Sequence, residues 1–446
     1  MSALVRSGAL ATGAASRAPS RPEILPRASS VDAFVGTFKD NKSAPIHRWF
    51  QYPAGFSYRA VEHALETFPV PEGGTVYDPF AGTGTTLVVC KGRGISSVGV
   101  EAHPLVARIA QTKVTWDLDL DKLGREADAL LRSLPRRVSS SRLPRDLPAL
   151  LQKCYSPKNL TKLFAIRDAL DRVEKVHRDL FEVALIGTLR AASAAATGWP
   201  YIAPRKRIQE KDALETFALQ LSHCLEDLRA TRAERRTVPA RALEADARAP
   251  PLGKGSVDLA FTSPPYLNNY DYADRLRLET YFLGMASTWG EITERFRSKL
   301  IVAATTQVDR REGSARERVE GALEGLDPQV ARELGEKVEK LSEVRKHRRG
   351  QKSYDLMVAR YFEDMAQAMT ATRRLLRPEG RLVMILGDSA PYGVPIPTEE
   401  YLGKLGLGVG FSDYRTTRLR SRGGKWRSNP QRHHVPLKES WLLLRA

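Results

Sequence analysis

The run Asp78-Pro79-Phe80-Ala81-Gly82-Thr83-Gly84-Thr85-Thr86 constrains the fold of this chain more than any other. It continues from the β-prone residues Thr75-Val76-Tyr77 and opens a segment, Thr85 to Lys91, that reads as a helix stopped by Gly92 and Gly94. Glycine has no Cβ and tolerates positive φ, so a Gly-x-Gly turn between strand and helix lets the backbone approach a ligand closely. Alone, such a turn is more often an ordinary tight turn. Here it is bracketed by Asp78 at one strand end and, about 23 residues on, by Glu101 at the end of a second strand, Ser96 to Glu101. An acid at that place can accept both hydroxyls of a ribose. Leu87 stands three residues after Gly84, where a dinucleotide fingerprint has its third glycine, which leaves an adenosine-containing cofactor other than NAD. Strand, glycine turn, helix and a strand with a terminal acid make the first half of a doubly wound α/β domain.

The alternation is then interrupted. A helix is expected at Phe56 to Phe68, and from Asp117 to Arg241 the pattern is mostly helical, with apolar periodicity at Leu160 to Val173 and Leu180 to Leu189. A strand pattern returns at Ser256 to Thr262. After a charged helical stretch come a helix at Tyr354 to Leu376, a strand at Arg381 to Leu386, and strands at Val409 to Thr417 and Glu439 to Leu444 with a basic loop between them. The expected architecture is one α/β sheet carrying two mainly helical insertions. Its pieces are a tail (1–40), a cofactor-binding part (41–116), a first insertion that is a candidate for target recognition (117–241), a catalytic part (242–285), a charged insertion (286–352) and a closing part with the basic loop (353–446).

Composition narrows the partners. With 446 residues and 42% hydrophobic content the chain can bury the cores of two or three domains, which excludes global disorder. Its 70 Lys+Arg against 52 Asp+Glu leave +18, a sign that suits a polyanion and most often nucleic acid. Cys90, Cys154 and Cys224 are far apart with no CxxC pair, so neither a disulfide framework nor a zinc ribbon is expected. No apolar run approaches a membrane span, and a soluble, cytoplasmic protein is expected. Residues 1–30, rich in Ala, Ser and Arg, are read as a tail and not as an organelle transit segment.

The second chemical cluster is Thr262-Ser263-Pro264-Pro265-Tyr266. Two prolines cannot donate backbone hydrogen bonds and hold the chain extended, so the Pro264 carbonyl and the Ser263 hydroxyl can be presented rigidly as acceptors. Tyr266 offers a flat face beside them. Acceptors beside an aromatic plate suit an exocyclic amino group on a planar ring. A Pro-Pro turn by itself is usually only a turn, but this one ends a strand of the same sheet as the glycine turn, so both face one crevice.

Together the two clusters resemble the amino-methyltransferase family of DNA methylases, which move a methyl group from S-adenosylmethionine to an exocyclic base nitrogen. Asp78 to Thr86 is similar to the family's cofactor motif and Ser263-Pro264-Pro265-Tyr266 to its catalytic tetrapeptide. The segment Ile46 to Ser57, with Tyr52 and Ser57, looks like the one that precedes the first strand and closes over the methionine part. The resemblance implies a class I methyltransferase sheet and S-adenosyl-L-methionine as cofactor, held by Tyr52, Ser57, Asp78, Phe80, Ala81, Gly82, Gly84, Thr85, Thr86, Glu101 at the ribose and Asp246 near the adenine. It also implies catalysis by Ser263, Pro264, Pro265 and Tyr266 on a base flipped out of double-stranded DNA and stacked on Tyr266. Leu376-Arg377-Pro378-Glu379-Gly380-Arg381 matches a helix-to-strand turn of the family, with Glu379 where a glycine is usual. Ser at the first place of the tetrapeptide resembles the cytosine-N4 branch; adenine-N6 transfer, an RNA base methylase and a non-catalytic DNA-binding subunit are the rivals. No cysteine has a proline neighbour, which disfavours cytosine C5 methylation. A cognate endonuclease or defence-system component as partner, and the oligomeric state, stay open.

The stretch from Tyr414 to Arg432 holds seven cations, Arg418, Arg420, Arg422, Lys425 and Arg427 among them, and no acid. Phosphate contact is expected there. Asn268 and Asn269, just after the tetrapeptide, are expected in the pocket wall and at the base. His433-His434 has no carboxylate or cysteine at ligand spacing, and no metal site is expected.

Overall fold

The computed structural model describes residues 38–52, 55–198, 201–231, 238–422 and 435–446. Lys425, Arg427, His433 and His434, and most of the N-terminal tail, fall outside them.

Helix α1 (Tyr58–Thr67) turns Ala60, Val61, Ala64 and Leu65 into the core and starts at Ser57, whose hydroxyl caps it. Strand β1 (Thr75–Asp78), helix α2 (Thr85–Gly92), strand β2 (Ser96–Glu101) and helix α3 (Pro104–Val114, Pro in its first turn) follow as the periodicity predicts. The first insertion comprises α4 (Leu120–Ser140), α5 (Ala149–Cys154), α6 (Pro157–Ala169), α7 (Lys175–Ala191), a hairpin of β3 (Ala195–Ala196) and β4 (Ala203–Arg207), and α8 (Ala213–Thr231). Strand β5 (Ala240–Glu244), read from sequence as the insertion's end, instead pairs parallel with β2 and forms the sheet edge. Then come β6 (Val257–Thr262), α9 (Tyr272–Arg275), α10 (Arg277–Phe282), α11 (Trp289–Arg295), α12 (Ala315–Leu323), α13 (Pro328–Lys346) and α14 (Tyr354–Leu375). The chain closes with β7 (Leu376–Gly387), α15 (Thr398–Gly408), β8 (Asp413–Arg422) and β9 (Leu437–Arg445).

The sheet order is β5-β2-β1-β6-β7-β9-β8, parallel except for β9, which pairs antiparallel with both β7 and β8. The order reverses between β1 and β6, which places the crevice for a ligand at their carboxyl ends. This is the Rossmann-like α/β sheet expected, with both insertions in place.

Several elements differ from expectation. Helix α15 occupies residues assigned no element, and the last hairpin begins at Asp413, not Val409. The expected basic loop begins as strand, with Arg418, Arg420 and Arg422 all in β8, and its residues 423–434 lie outside the described ones. Strand β7 starts at Leu376, and its pairing with β6 jumps from Val257↔Leu376 to Leu259↔Arg381. Glu379 sits in this irregularity at φ 65, the left-handed conformation that explains a preference for glycine there. In the charged helical stretch, helix α13 buries Val330, Leu334, Val338 and Leu341 in the core beside α12 and α14.

Candidate active site

The geometry begins with Asp78, fully buried at the end of β1. One carboxylate oxygen accepts from the Phe80 N–H (3.0 Å) and the Thr262 hydroxyl (2.6 Å), the other from the Thr86 hydroxyl (2.6 Å). Three elements, β1, α2 and β6, therefore meet on one side chain, and the glycine turn is tied to the residue just before the tetrapeptide. Burial pushes the Asp78 carboxyl up to about 6 against those hydrogen bonds. The resemblance placed Asp78 and Thr86 at the cofactor; neither lines the cleft, and both organise its floor. Ser57 likewise lines no part of it and caps α1.

The two glycines of the turn divide the work. Gly82 (φ 51) lines the cleft, and its N–H donates to Glu101 Oε2 (3.1 Å). Gly84 (φ 83) does not; a Cβ there would meet Ala110 Cβ at 3.2 Å, so it serves the close packing of α2 on α3. A third glycine, Gly99 of β2, went unnoticed in the sequence: its Cβ would lie 2.7 Å from Ala81 Cβ, so only glycine lets the turn lie against the strand.

The cleft encloses about 860 Å³, partly open to solvent. Of the residues singled out in the sequence, Tyr52, Phe80, Ala81, Gly82, Thr85, Glu101, Asp246, Ser263 and Pro265 line it. Glu101 Oε1 accepts from the His103 N–H (2.8 Å), and burial lifts its carboxyl to about 7. His103, unremarked in the sequence, is 2% exposed on the cleft wall, stacks on Phe296 at 4.7 Å, and has both ring nitrogens without a partner. Burial lowers its imidazole to about 3, so it is neutral. Asp246 follows β5 and is gripped by Arg248, whose guanidinium also bonds Asp364 at 2.6 Å. Lys299, Leu300 and Ile301 of the second insertion also line the cleft, a contribution no sequence pattern signalled.

Both insertions are fastened to the site. Asp227 of α8 accepts from Ile46 N (2.7 Å), Trp49 Nε1 (2.9 Å) and the Arg48 guanidinium, so the first insertion holds the segment that delivers Tyr52. Asn269, expected at the base, is committed elsewhere: its carboxamide oxygen accepts from Thr305 N and Oγ1, and its nitrogen donates to the Tyr354 hydroxyl (3.4 Å). Asp271 accepts from buried Arg297 at 2.9 Å. The loop after the tetrapeptide thus anchors the second insertion, while Asn268 is exposed. The hairpin β3–β4 presents Arg205, Lys206 and Arg207 to solvent, and Tyr201 beside it donates no more than a long contact to Asn269 O (3.5 Å) while accepting from the Asp271 N–H (3.0 Å).

Within the tetrapeptide Pro264 is buried and is not among the residues that line the cleft. Ser263 and Pro265 line the cleft; Tyr266 lies outside its lining. The Ser263 hydroxyl donates to Ile385 O (3.3 Å), which leaves its lone pairs as acceptors. The Tyr266 N–H donates to the Tyr272 hydroxyl (3.3 Å), and Tyr272 reaches back into the cleft. The Tyr266 hydroxyl donates to Glu439, and the Arg422 guanidinium lies over its ring. Arg418 is exposed; Arg420 and Arg422, expected at phosphates, turn inward. Among the described residues one acid–histidine group, Glu126, Glu174 and His177, lies within 4.8 Å; Lys122 is paired with Glu174 there, at 2.6 Å.

Residues 32–112 match the DNA methylase family model. The chain is 25% identical over 283 residues to Type II methyltransferase M.BsoBI of Geobacillus stearothermophilus, across 56% of this chain and 55% of that protein. It is 22% identical over 410 residues to Type II methyltransferase M.AvaI of Nostoc sp., across 86% and 82%. To Type II methyltransferase M.MjaII of Methanocaldococcus jannaschii it is 30% identical over 133 residues, 29% of this chain and 24% of that one. The chain thus spans about half of M.BsoBI and most of M.AvaI, and 86% of the chain is reached only by running into the insertions. Among the described residues no helix is long and apolar enough to cross a membrane.

Proposed function

We propose that this chain is a DNA amino-methyltransferase that uses S-adenosyl-L-methionine to methylate the exocyclic nitrogen of a base in double-stranded DNA, with cytosine N4 favoured over adenine N6. One observation carries the reading: Ser263, with Pro265 beside it, lines the same cleft as Gly82 and Glu101, so an acceptor hydroxyl for an amino group and an acid suited to a ribose face one volume. The cleft fits the cofactor chemically. Glu101 offers a carboxylate to two vicinal hydroxyls beside a glycine whose bare Cα lets a ligand come close. The apolar walls Phe80, Val100 and Ile301 suit a purine, with Asp246 at its edge, and Tyr52, Gly55 and Phe56 are placed for the amino-acid end. When bound, the cofactor supplies a methyl group made electrophilic by its sulfonium.

The chain's own residues do the rest. The Ser263 lone pairs and the Pro264 carbonyl accept from the amino group, pulling the nitrogen lone pair out of conjugation with the ring and aiming it into the cleft. Tyr266 supplies the stacking face for a base taken out of the duplex. Preference for cytosine N4 rests on Ser263 at the first place of the tetrapeptide. The similarity to Type II methyltransferases supports DNA as substrate and a companion endonuclease as partner. Exposing duplex DNA to the protein and labelled cofactor, digesting to nucleosides and weighing the products tests this. N4-methylcytosine is expected; N6-methyladenine corrects the base, and label in RNA alone overturns the reading.

A further inference from the structure

Tyr266 is held from outside the cleft, by residues of the antiparallel end of the sheet. Its hydroxyl donates to Glu439 Oε1 at 2.7 Å, and Glu439, only 2% exposed, accepts through Oε2 from Arg420 Nε. The Arg422 guanidinium covers one face of the ring, 5.0 Å from its centroid, and reaches Asp388 O at 3.4 Å. The backbone explains how these groups converge. Glu439 pairs with Gly387 across β7 and β9, and a Cβ at Gly387 would overlap the end of Arg422 and press on Tyr266 Cε2 at 3.1 Å. On the other side, pairing between β8 and β9 shifts register between Arg418, opposite Ser440, and Arg420, opposite Glu439. In a regular strand residues two apart share a face; this bulge puts Arg420 on Glu439 while Arg418 stays exposed.

We propose that Glu439 is the positioning residue for Tyr266: it fixes the plane of the ring on which the target base stacks, with the half-buried Arg420 as its counter-charge and Arg422 occupying one ring face. The proposal rests on the function proposed above. A hydrogen bond to an ionised acceptor is the strong kind, and a buried carboxylate keeps its charge only with a partner such as Arg420. A ring held this way loses no orientational freedom when a base arrives. Glu439 does not line the cleft, so its effect passes through Tyr266.

The test compares wild type, Glu439→Gln, Glu439→Ala, Tyr266→Phe and the Tyr266→Phe/Glu439→Ala double variant, measuring kcat and KM on duplex DNA, cofactor affinity by calorimetry, and Tm. Glu439→Ala and Tyr266→Phe are each expected to lower kcat about tenfold with cofactor affinity unchanged. Glu439→Gln keeps an acceptor and should recover to within about threefold of wild type, and the double variant should be no worse than either single one. An alanine effect that is undiminished in the Tyr266→Phe background, or that falls in step with Tm and cofactor affinity, overturns the positioning role. If Glu439→Ala does not fold, Gly387→Ala stands in, because it displaces the flexible end of Arg422 and the ring edge while leaving Glu439 intact. It should lower kcat at unchanged cofactor affinity, and an unchanged kcat overturns the proposal. A wild type that methylates no DNA overturns the functional reading and this inference with it; an active wild type with uncoupled variants overturns this inference alone.

Discussion

The two halves of the cleft are built in different ways. On the cofactor side the working groups are neighbours in the chain: Asp78 to Thr86 form a strand end, a turn and a helix start, and Glu101 arrives one parallel strand later. On the tetrapeptide side Tyr266 hydrogen-bonds to Glu439, 173 positions away, through an antiparallel hairpin with a bulge in it. A local motif carries its geometry wherever the fold places it. A long-range one exists only after the sheet has closed, so its residues carry no spacing to read. Substitutions on the first side should therefore disturb fold and cofactor together, and substitutions on the second should disturb turnover alone.

Asp78→Ala is the severest test. It strands the Thr86 and Thr262 hydroxyls and the Phe80 N–H in a buried spot. A loss of about 3 kcal/mol in stability is expected in denaturant melts, with cofactor binding lost as well. Full stability with only cofactor binding lost would mean that Asp78 is a ligand after all. Tyr266→Ala comes next: turnover should drop roughly 30-fold, in line with the stacking energy of one base, while calorimetric cofactor affinity stays at the wild-type value. Equal losses in both would erase the contrast between the halves.

Glu101→Gln probes the cofactor side through pH. The Glu101 carboxyl is raised by burial from 4.5 to about 7, so the folded protein holds that proton where the unfolded chain releases it. Wild type should then lose stability as pH rises from about 4.5 to 7, and the stability of Glu101→Gln relative to wild type should climb over that window and level off above it. Thermal melts at steps across the range decide this, and a flat difference would remove the burial argument. Cofactor affinity should fall at every pH. The smallest effect belongs to Arg205 and Lys206, exposed on the hairpin next to the catalytic loop. Replacing both with Gln should flatten the salt dependence of DNA binding by about 2 in log–log slope without changing cofactor affinity. An unchanged slope would leave the hairpin without a role in phosphate contact.

The sequence was most legible where chemistry and backbone constraint coincide. Gly82, Glu101, Ser263 and Pro265 were found because turns need glycine, ribose needs an acid, and two prolines can do little but stay extended. It was least legible where one residue type serves two ends. Gly99 and Gly387 look like any strand glycine until the atoms facing them are known. The arginines of β8 look like a solvated basic run, yet the bulge divides them between solvent and Tyr266. Asn269 reads as a polar residue near a base and proves to be the peg for an insertion.

By itself, then, the sequence determined the strand–turn–helix units and their glycine and acid positions, because each follows from the covalent limits of a few adjacent residues. Tertiary structure alone decided that β5 joins the sheet, that Lys299 to Ile301 line the cleft, and that Glu439 meets Tyr266. Those contacts depend on which strands lie side by side, and that is set by the packing of the whole sheet and its helices.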